Sequence, residues 1–284
     1  MKRIAGSLFR FFVYSNLFIA VCAILMMQQT YELLLHTSPD IYLISFVFFA
    51  TICSYSFHWY LTPDVPGESS RIKWLKKNRI VHVVLFFAGL AGAIIFGLFL
   101  IDHWYWLLLS ALITFLYSAP KIPHPYFRAL RKVALGKTLF LAFVWMYVTT
   151  IFPVQVSEQP WQPDFFLFAA GRFFLVYAIC IIFDYRDRDY DRSIGIRSLI
   201  TWLNKRSITT LFVSSLFVFA IFTCLLYKYD YHFDTIFILL LPGIIAAAMY
   251  NHFTKNFSDT LYYFFADGLM ALSALIMLVL GNLK

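Results

Sequence analysis

Residues 184–199 read Asp184-Tyr-Arg-Asp187-Arg-Asp189-Tyr-Asp191-Arg-Ser-Ile-Gly195-Ile-Arg197-Ser-Leu199, and they directly follow a run of apolar residues. Four aspartates and four arginines lie within the first fourteen of these positions, in a chain that is 61% hydrophobic and only 13% charged. A soluble domain carries about 25% charged residues, so this chain has too little polar surface to cover its apolar side chains in water. Most of the chain must therefore be dissolved in lipid, with the charged stretch at the end of a membrane helix.

Apolar runs long enough to cross a bilayer recur along the whole chain. A hydrocarbon core of about 30 Å needs about 20 apolar residues per helix. This length predicts nine spans, at residues 8–28, 41–61, 80–101, 104–120, 134–155, 164–183, 208–227, 233–251 and 260–281. We expect one all-α membrane domain over residues 1–284, with nine transmembrane helices around a central cavity open to the cytoplasmic side. The first span is expected to be retained rather than removed as a signal peptide.

The basic residues indicate the orientation of the chain. With the N-terminus in the cytoplasm, the cytoplasmic segments hold all of the 23 lysines and arginines except Arg172, Lys228 and Lys284. Positive residues concentrate in cytoplasmic loops. This distribution predicts a cytoplasmic N-terminus, an external C-terminus and an integral protein of a bacterial inner membrane. It also accounts for the net charge of +8, so we expect the lipid bilayer, and not nucleic acid, as the partner. The sequence does not indicate an oligomeric state.

Three of the aspartates, Asp184, Asp187 and Asp191, have the spacing of one helix face. Three neighbouring carboxylates repel one another unless a cation lies between them. Oxygen ligands suit Mg²⁺, which proteins commonly hold with one or two carboxylates plus substrate phosphates. The interspersed arginines could bind further phosphate oxygens. The alternative is a solvated loop with charges of both signs that only fixes the topology, and spacing alone leaves both interpretations open.

The same stretch resembles the second aspartate-rich motif of the UbiA-type intramembrane prenyltransferases. It is most similar to the branch that prenylates naphthoate in menaquinone, and hence quinone, biosynthesis, where the pattern is Arg-Asp-x-x-x-Asp-Arg-x-x-Gly-x-Arg-Thr-Leu. Here the pattern is filled, with Ser in place of Thr, by Arg186, Asp187, Asp191, Arg192, Gly195, Arg197, Ser198 and Leu199. The resemblance implies nine membrane helices. It also implies transfer of a polyprenyl group, with Mg²⁺, from a polyprenyl diphosphate to a lipophilic and aromatic acceptor.

A second segment carries the same resemblance and extends the predicted site. Residues 117–121, Tyr-Ser-Ala-Pro-Lys, are similar to the Tyr-Ser-x-Pro segment of that family. By the resemblance, Asp187 and Asp191 are catalytic and bind Mg²⁺ together with Asp184, while Asp189 is expected to point away. The predicted substrate-binding residues are Asn16, His58, Asp64, Tyr117, Lys121, Arg128, Arg186, Arg192 and Arg197.

The first aspartate motif of that family, Asn-Asp-x-x-Asp-x-x-x-Asp, should end the second span but is degenerate here. The best superposition is Ser-Phe-His-Trp-Tyr-Leu-Thr-Pro-Asp at residues 56–64, which keeps Asp64 alone of the three aspartates. His58 does not replace several carboxylates around Mg²⁺, which prefers oxygen. Two functions stay open. The chain is either a prenyltransferase that adds basic residues such as Arg71 to one aspartate cluster, or an inactive relative that binds an isoprenoid or quinone lipid or serves as a membrane assembly partner.

Two charged residues lie inside predicted spans, Arg172 in the sixth and Asp267 in the ninth. A charge at mid-bilayer costs about 2.5–3.5 kcal/mol on insertion scales, so each residue should have a partner or face water. We expect the two to form a buried structural pair, with a role in acceptor binding as the alternative.

Overall fold

A computed structural model describes residues 2–61, 69–122, 124, 136–193 and 198–281, and these ranges contain helices and no strand. Of the predicted site residues, Asp64, Arg128 and Arg197 lie outside the described ranges. The helices in chain order are α1 (Lys2–Tyr14), α2 (Leu17–Thr30), α3 (Ile41–Tyr60), α4 (Ser70–Lys77), α5 (Arg79–Leu98), α6 (Trp104–Ser118), α7 (Lys137–Met146), α8 (Phe152–Val156), α9 (Pro163–Ser193), α10 (Leu199–Trp202), α11 (Lys205–Leu225), α12 (Phe233–Phe253) and α13 (Asp267–Gly281).

Three short π-helical segments make some of these helices continuous. Tyr31–Leu35 extends α2, Tyr147–Ile151 joins α7 to α8, and Leu261–Ala266 leads into α13. With these joins, eight described segments are long and apolar enough to cross a membrane: Leu17–Leu35, Ile41–Tyr60, Arg79–Leu98, Lys137–Val156, Pro163–Ser193, Lys205–Tyr229, Phe233–Phe253 and Leu261–Gly281. The prediction of an all-α protein with membrane-spanning helices is confirmed. The predicted span at 104–120 is not among the eight, because α6 has only 15 residues.

The prediction of a first span at residues 8–28 is wrong, because the helix breaks at Asn16. Asn16 has φ 71° and ψ 6°, the left-handed conformation, between the end of α1 and the start of α2. Asparagine adopts this conformation more readily than most residues. The first long span therefore begins at Leu17, and α1 is a separate helix with exposed apolar side chains such as Ile4 and Leu8.

The sixth span is longer than predicted and includes the charged stretch. Helix α9 has 31 residues and runs on to Ser193, where a loop from residue 184 was expected. At 1.5 Å per residue it is about 46 Å long, against about 30 Å for the hydrocarbon core. The prediction that Asp184, Asp187 and Asp191 share a helix face is therefore confirmed, and the solvated-loop interpretation is wrong for residues 184–193.

The predicted pairing of Arg172 with Asp267 is wrong. The Arg172 side chain is 6% exposed, and its guanidinium lies 4.6 Å from the centre of the Phe168 ring. Its hydrogen-bond acceptors, all neutral and at 2.7–2.9 Å, are Gln29 Oε1, Thr30 Oγ1, the Thr149 carbonyl oxygen and Thr150 Oγ1. The segments Leu17–Leu35 and Lys137–Val156 thus solvate the charge with neutral oxygens and tie α9 to its neighbours.

Helices α3 and α5 approach each other closely at a glycine. A Cβ atom built at Gly89 would lie 2.7 Å from the backbone nitrogen of Cys53 and 2.8 Å from the carbonyl oxygen of Phe49. Small residues permit such backbone contact between membrane helices, where dispersion and not exclusion of water holds the helices together.

We expect Gly89→Ala to destabilise the protein by about 1–3 kcal/mol, the usual effect of overpacking. The added methyl group meets backbone atoms, which cannot rotate away. Gly97→Ala on the same helix is the control, because its Cβ would meet only the Phe46 ring at 3.5 Å. Thermal unfolding of the purified protein in detergent measures both. A melting temperature for Gly89→Ala equal to that of Gly97→Ala would show that α3 and α5 do not pack this closely.

Candidate functional site

The predicted carboxylates lie on the last turns of α9. Asp184 Oδ2 accepts a hydrogen bond from Thr138 Oγ1 at the start of α7. The Asp187 side chain is 48% exposed and pairs with its neighbour Arg186, with 2.8 Å between Oδ1 and Nε. Asp191 is only 6% exposed. Asp189 is exposed, as predicted, so the helix presents three of its four aspartates on a partly buried face.

Two lysines lie beside this face. Lys137, the first residue of α7, interacts electrostatically with Asp184, Asp187 and Asp191. Lys121, at the end of the short 3₁₀ turn after α6, interacts with Asp187 and Asp191. Lys137 is not among the residues predicted from the sequence. The available signal was a lysine, directly after a glycine, at the first residue of a membrane helix.

Arg71 lies where the resemblance placed the degenerate first motif. Its side chain is 4% exposed, and its guanidinium carbon is 4.1 Å from the ring centres of both Trp59 and Tyr263. Arg71 Nη2 donates a 2.7 Å hydrogen bond to Asn16 Oδ1, and Asn16 Nδ2 donates a 3.4 Å bond to Ser56 Oγ. Burial lowers the pKa of Arg71. In the described part of the structure, Arg71 Nε has no hydrogen-bond partner.

Tyr263 connects this arginine to the carboxylate face. Its hydroxyl accepts a 2.7 Å hydrogen bond from Arg186 Nη2, and the guanidinium carbon of Arg186 lies 4.7 Å from the centre of its ring. Because both arginines contact one ring, their guanidinium carbons are within about 9 Å of each other. Asp187, bonded to Arg186, and Arg71 therefore belong to one site, built from α3, α4, α9 and the Leu261–Ala266 segment. Neither Trp59 nor Tyr263 is distinguishable in the sequence from the many other aromatic residues of the chain.

His58 and Tyr117 lie together at the edge of this site, and substrate binding by them stays a prediction. Their rings stack with 4.9 Å between centres, and His58 Nδ1 is 3.4 Å from Ser118 Oγ. Lys121 and Lys137 interact electrostatically with His58, and Asp184 and Asp187 with Tyr117. The end of α3 and the end of α6 are thus brought to the carboxylate face.

Other parts of the matched motif have structural contacts. Arg192 is exposed, and its Nε donates a 2.7 Å hydrogen bond to the Thr201 carbonyl oxygen. Arg188 donates to the carbonyl oxygens of Ile200 and Leu203, so both arginines fix α10 against α9. Ser198 caps α10 by a reciprocal pair of hydrogen bonds with Thr201. Substrate binding by Arg192 stays a prediction, as do the roles of Asp64, Arg128 and Arg197.

The carboxylates do not form a metal site by themselves. Across the described ranges, no three His, Cys, Asp or Glu side chains are grouped closely enough to hold a metal ion. The donors on α9 are nevertheless hard oxygen atoms, the type that Mg²⁺ prefers. Mg²⁺ usually takes one or two carboxylates and completes its shell with water and substrate phosphate oxygens. Asp187 and Asp191 therefore fit a Mg²⁺–diphosphate complex better than a bare ion.

An apolar cavity of about 400 Å³ lies apart from the charged site. It is formed between the segments Lys137–Val156 and Pro163–Ser193 by Met146, Ile151, Trp161, Phe166, Ala169, Ala170, Phe173 and Phe174. Its lining is almost entirely hydrocarbon, and Phe166 in that lining is exposed, so this is an open apolar groove.

Together, the fold and these contacts define an all-helical membrane-spanning protein with carboxylates, guanidinium groups and amines gathered at one end of the bundle. No protein-family model, no curated protein and no solved structure matches the chain. Membership of the UbiA-type family therefore stays a prediction that rests on the motif residues.

Lys121 provides a test of the site's electrostatics. Burial, reinforced by Lys137 and opposed by Asp187 and Asp191, lowers the pKa of Lys121 to about 7. An ordinary lysine has a pKa of about 10.4, so Lys121 loses its charge near neutrality. We expect its modification by a small amine-reactive reagent, followed by mass spectrometry, to rise with a midpoint near pH 7.

Removing a neighbouring negative charge should shift that midpoint in a defined direction. Asp187→Asn takes away a charge that favours the ammonium form, so the midpoint falls further. Asp189→Asn, at the exposed position, leaves it unchanged. A midpoint above about pH 9 in the unaltered protein would mean that Lys121 is not buried among these charges.

Proposed function

We propose that this protein is a membrane prenyltransferase that transfers a polyprenyl group from a polyprenyl diphosphate to a lipophilic, aromatic acceptor, with Mg²⁺. The observation that carries the proposal is the gathering of Asp187 and Asp191 with Arg71 and Arg186 at one end of a membrane-spanning bundle. Loss of the diphosphate group develops negative charge on its oxygens, which fixed cations stabilise. A bundle immersed in lipid gives the polyprenyl tail direct access from the membrane.

In this proposal each wall of the site has a distinct role. Asp187 and Asp191 would hold the metal ion, which would supply positive charge to the departing diphosphate, while Asp184 is bonded to Thr138 beside them. Arg186 and Lys121 bind phosphate oxygens from the same side. Arg71 binds them from the side where the resemblance would require further aspartates.

The setting of Arg71 supports its role in anion binding. Two aromatic faces and an amide oxygen hold the guanidinium, and none of these groups carries a full negative charge. Cation–π contacts fix an arginine without neutralising it. Its unpartnered Nε is a remaining donor, and charge-assisted hydrogen bonds to phosphate are among the stronger polar interactions in proteins.

We also propose nine crossings, with the N-terminus in the cytoplasm. The contacts at the two ends of α6 support a crossing by this helix. Near its start, the Trp106 carbonyl oxygen accepts a 3.0 Å hydrogen bond from Tyr147. At its end, Ser118 contacts His58 at the end of α3. With its flanking 3₁₀ turns, α6 belongs to a helical run over residues 101–121. Short spans are accommodated by local thinning of the bilayer. The lysine and arginine distribution supports the orientation, and a bacterial inner membrane as the location.

A second candidate function is non-catalytic binding of an isoprenoid or quinone lipid. One observation favours this function. On the side of the site that contains Ser56 and His58, no described carboxylate lies close enough to complete a metal cluster with the aspartates of α9. The 400 Å³ apolar cavity would suit such a lipid.

Substitution of the aspartates tests the enzymatic proposal. Purified protein is incubated with Mg²⁺, a labelled polyprenyl diphosphate and a panel of aromatic acceptors, and pyrophosphate release is measured together with prenylated product. We expect Asp187→Asn and Asp191→Asn each to lower the rate by about 100-fold or more, since charge stabilisation of the leaving group is lost. Asp189→Asn, on the same helix but exposed, is the matched control and should retain activity. Bound isoprenoid without any pyrophosphate release would favour the second candidate instead.

Reporter fusions test the number of crossings. With nine crossings the two termini lie on opposite sides of the membrane, so a cytoplasm-active reporter works at the N-terminus and an exterior-active reporter at the C-terminus. Both termini on one side would remove α6 from the set of crossings.

A further inference from the structure

The last membrane-spanning segment presents a row of residues to the interior of the bundle. Tyr263 contacts Arg71 and Arg186 at the charged site. Further along, Met270 and Ser273 line a small cavity of about 30 Å³ beside Arg172, and Ser273 Oγ accepts a 3.1 Å hydrogen bond from Gln29 Nε2.

Asp267 lies between these two regions. Residues three or four positions apart on a helix lie on the same side, and Asp267 is four positions from Tyr263 and three from Met270. The side chain is partly buried. It interacts electrostatically with Cys22 of α2, Tyr55 of α3 and Cys180 of α9, so the carboxylate lies where these helices surround it.

The carboxylate has no direct partner among the residues that the structure describes. Arg71 and Arg186 are the charged groups that act on it, but Arg71 donates to Asn16 and Arg186 to Asp187 and Tyr263. Arg172, the expected partner, is satisfied by neutral oxygens. A carboxylate without a partner is costly inside a membrane, and such residues mark functional sites by default.

We propose that Asp267 is a further catalytic residue, which accepts the proton that an aromatic acceptor loses when it is prenylated. This inference rests on the proposed prenyltransferase function. It places the acceptor deeper in the bundle than the diphosphate, between the charged site and the small cavity beside Arg172. It also defines the acceptor class as an aromatic alcohol, whose hydroxyl or ring C–H bond supplies the proton.

The proposed step balances as follows. The allylic C–O bond breaks, and its electron pair leaves with the diphosphate, on the side of Arg71 and Arg186. The electron-rich ring or hydroxyl oxygen of the acceptor forms the new bond to the allylic carbon. The electron pair of the broken O–H or C–H bond remains on the acceptor, and the proton passes to the carboxylate of Asp267. No oxidant or reductant is required.

The test separates release of diphosphate from transfer to the acceptor. For Asp267→Asn we expect pyrophosphate release to continue with formation of the prenyl alcohol, while prenylated acceptor falls by about 100-fold, as is typical for loss of a general base. Asp267→Glu should restore part of the transfer. Asp164→Asn is the matched control, because Asp164 is a carboxylate at the other end of α9 that accepts a hydrogen bond from Tyr231.

A second measurement does not depend on turnover. A lipophilic carbodiimide should modify Asp267, as identified by mass spectrometry, and 1-naphthol should protect it. Transfer by Asp267→Asn at the unaltered rate, or no protection by 1-naphthol, would overturn the role of Asp267 while leaving the prenyltransferase proposal intact. An unaltered protein that forms no product with any acceptor would overturn the enzymatic proposal and the proton transfer with it, and protection would then identify Asp267 as part of a binding site only.

Discussion

The interior of this bundle is organised by guanidinium groups that must keep their charge in a medium with almost no water. An arginine does not escape the cost of burial by losing its proton, so the protein must supply the solvation. Arg172 donates hydrogen bonds to four neutral oxygens of the segments Leu17–Leu35 and Lys137–Val156. Arg71, at the charged site, contacts the rings of Trp59 and Tyr263 and donates a hydrogen bond to Asn16. Both arrangements fix helix positions, since each needs several helices in place at once.

The two arrangements differ in whether a guanidinium nitrogen remains without a hydrogen-bond acceptor. Arg172 donates three hydrogen bonds from Nη1 and one from Nη2, all to neutral oxygens, which suits a structural role. Arg71 is held by ring faces, and one nitrogen has no partner in the described ranges. One of these rings, Trp59, lies within residues 56–64, the segment that the resemblance aligns with the first aspartate motif.

The sequence predicts the long spans well, because twenty apolar residues in a row have few structural alternatives. It also predicts the shared face of Asp184, Asp187 and Asp191, which follows from helical spacing alone. The break at Asn16 was missed, since hydropathy does not register a backbone that turns left-handed within an apolar run. The pairing of Arg172 with Asp267 failed because opposite charge is only one way to solvate a buried cation, and threonine and glutamine oxygens leave no pattern in the sequence. Trp59, Tyr263 and Lys137 were missed for a related reason: their importance lies in contacts across the bundle, which spacing along the chain does not encode.

Helix α9 is longer than a membrane crossing requires. About 20 of its 31 residues suffice to cross the hydrocarbon core, and the remaining residues extend the helix beyond that length. Asp191 lies about 10 Å further along the helix axis than Asp184. In the proposed function, a lipid-borne substrate would bring its charged end to the level of these carboxylates while its chain stays in the acyl layer. Lengthening or shortening α9 by one turn would move the carboxylates relative to the membrane surface without changing any of them.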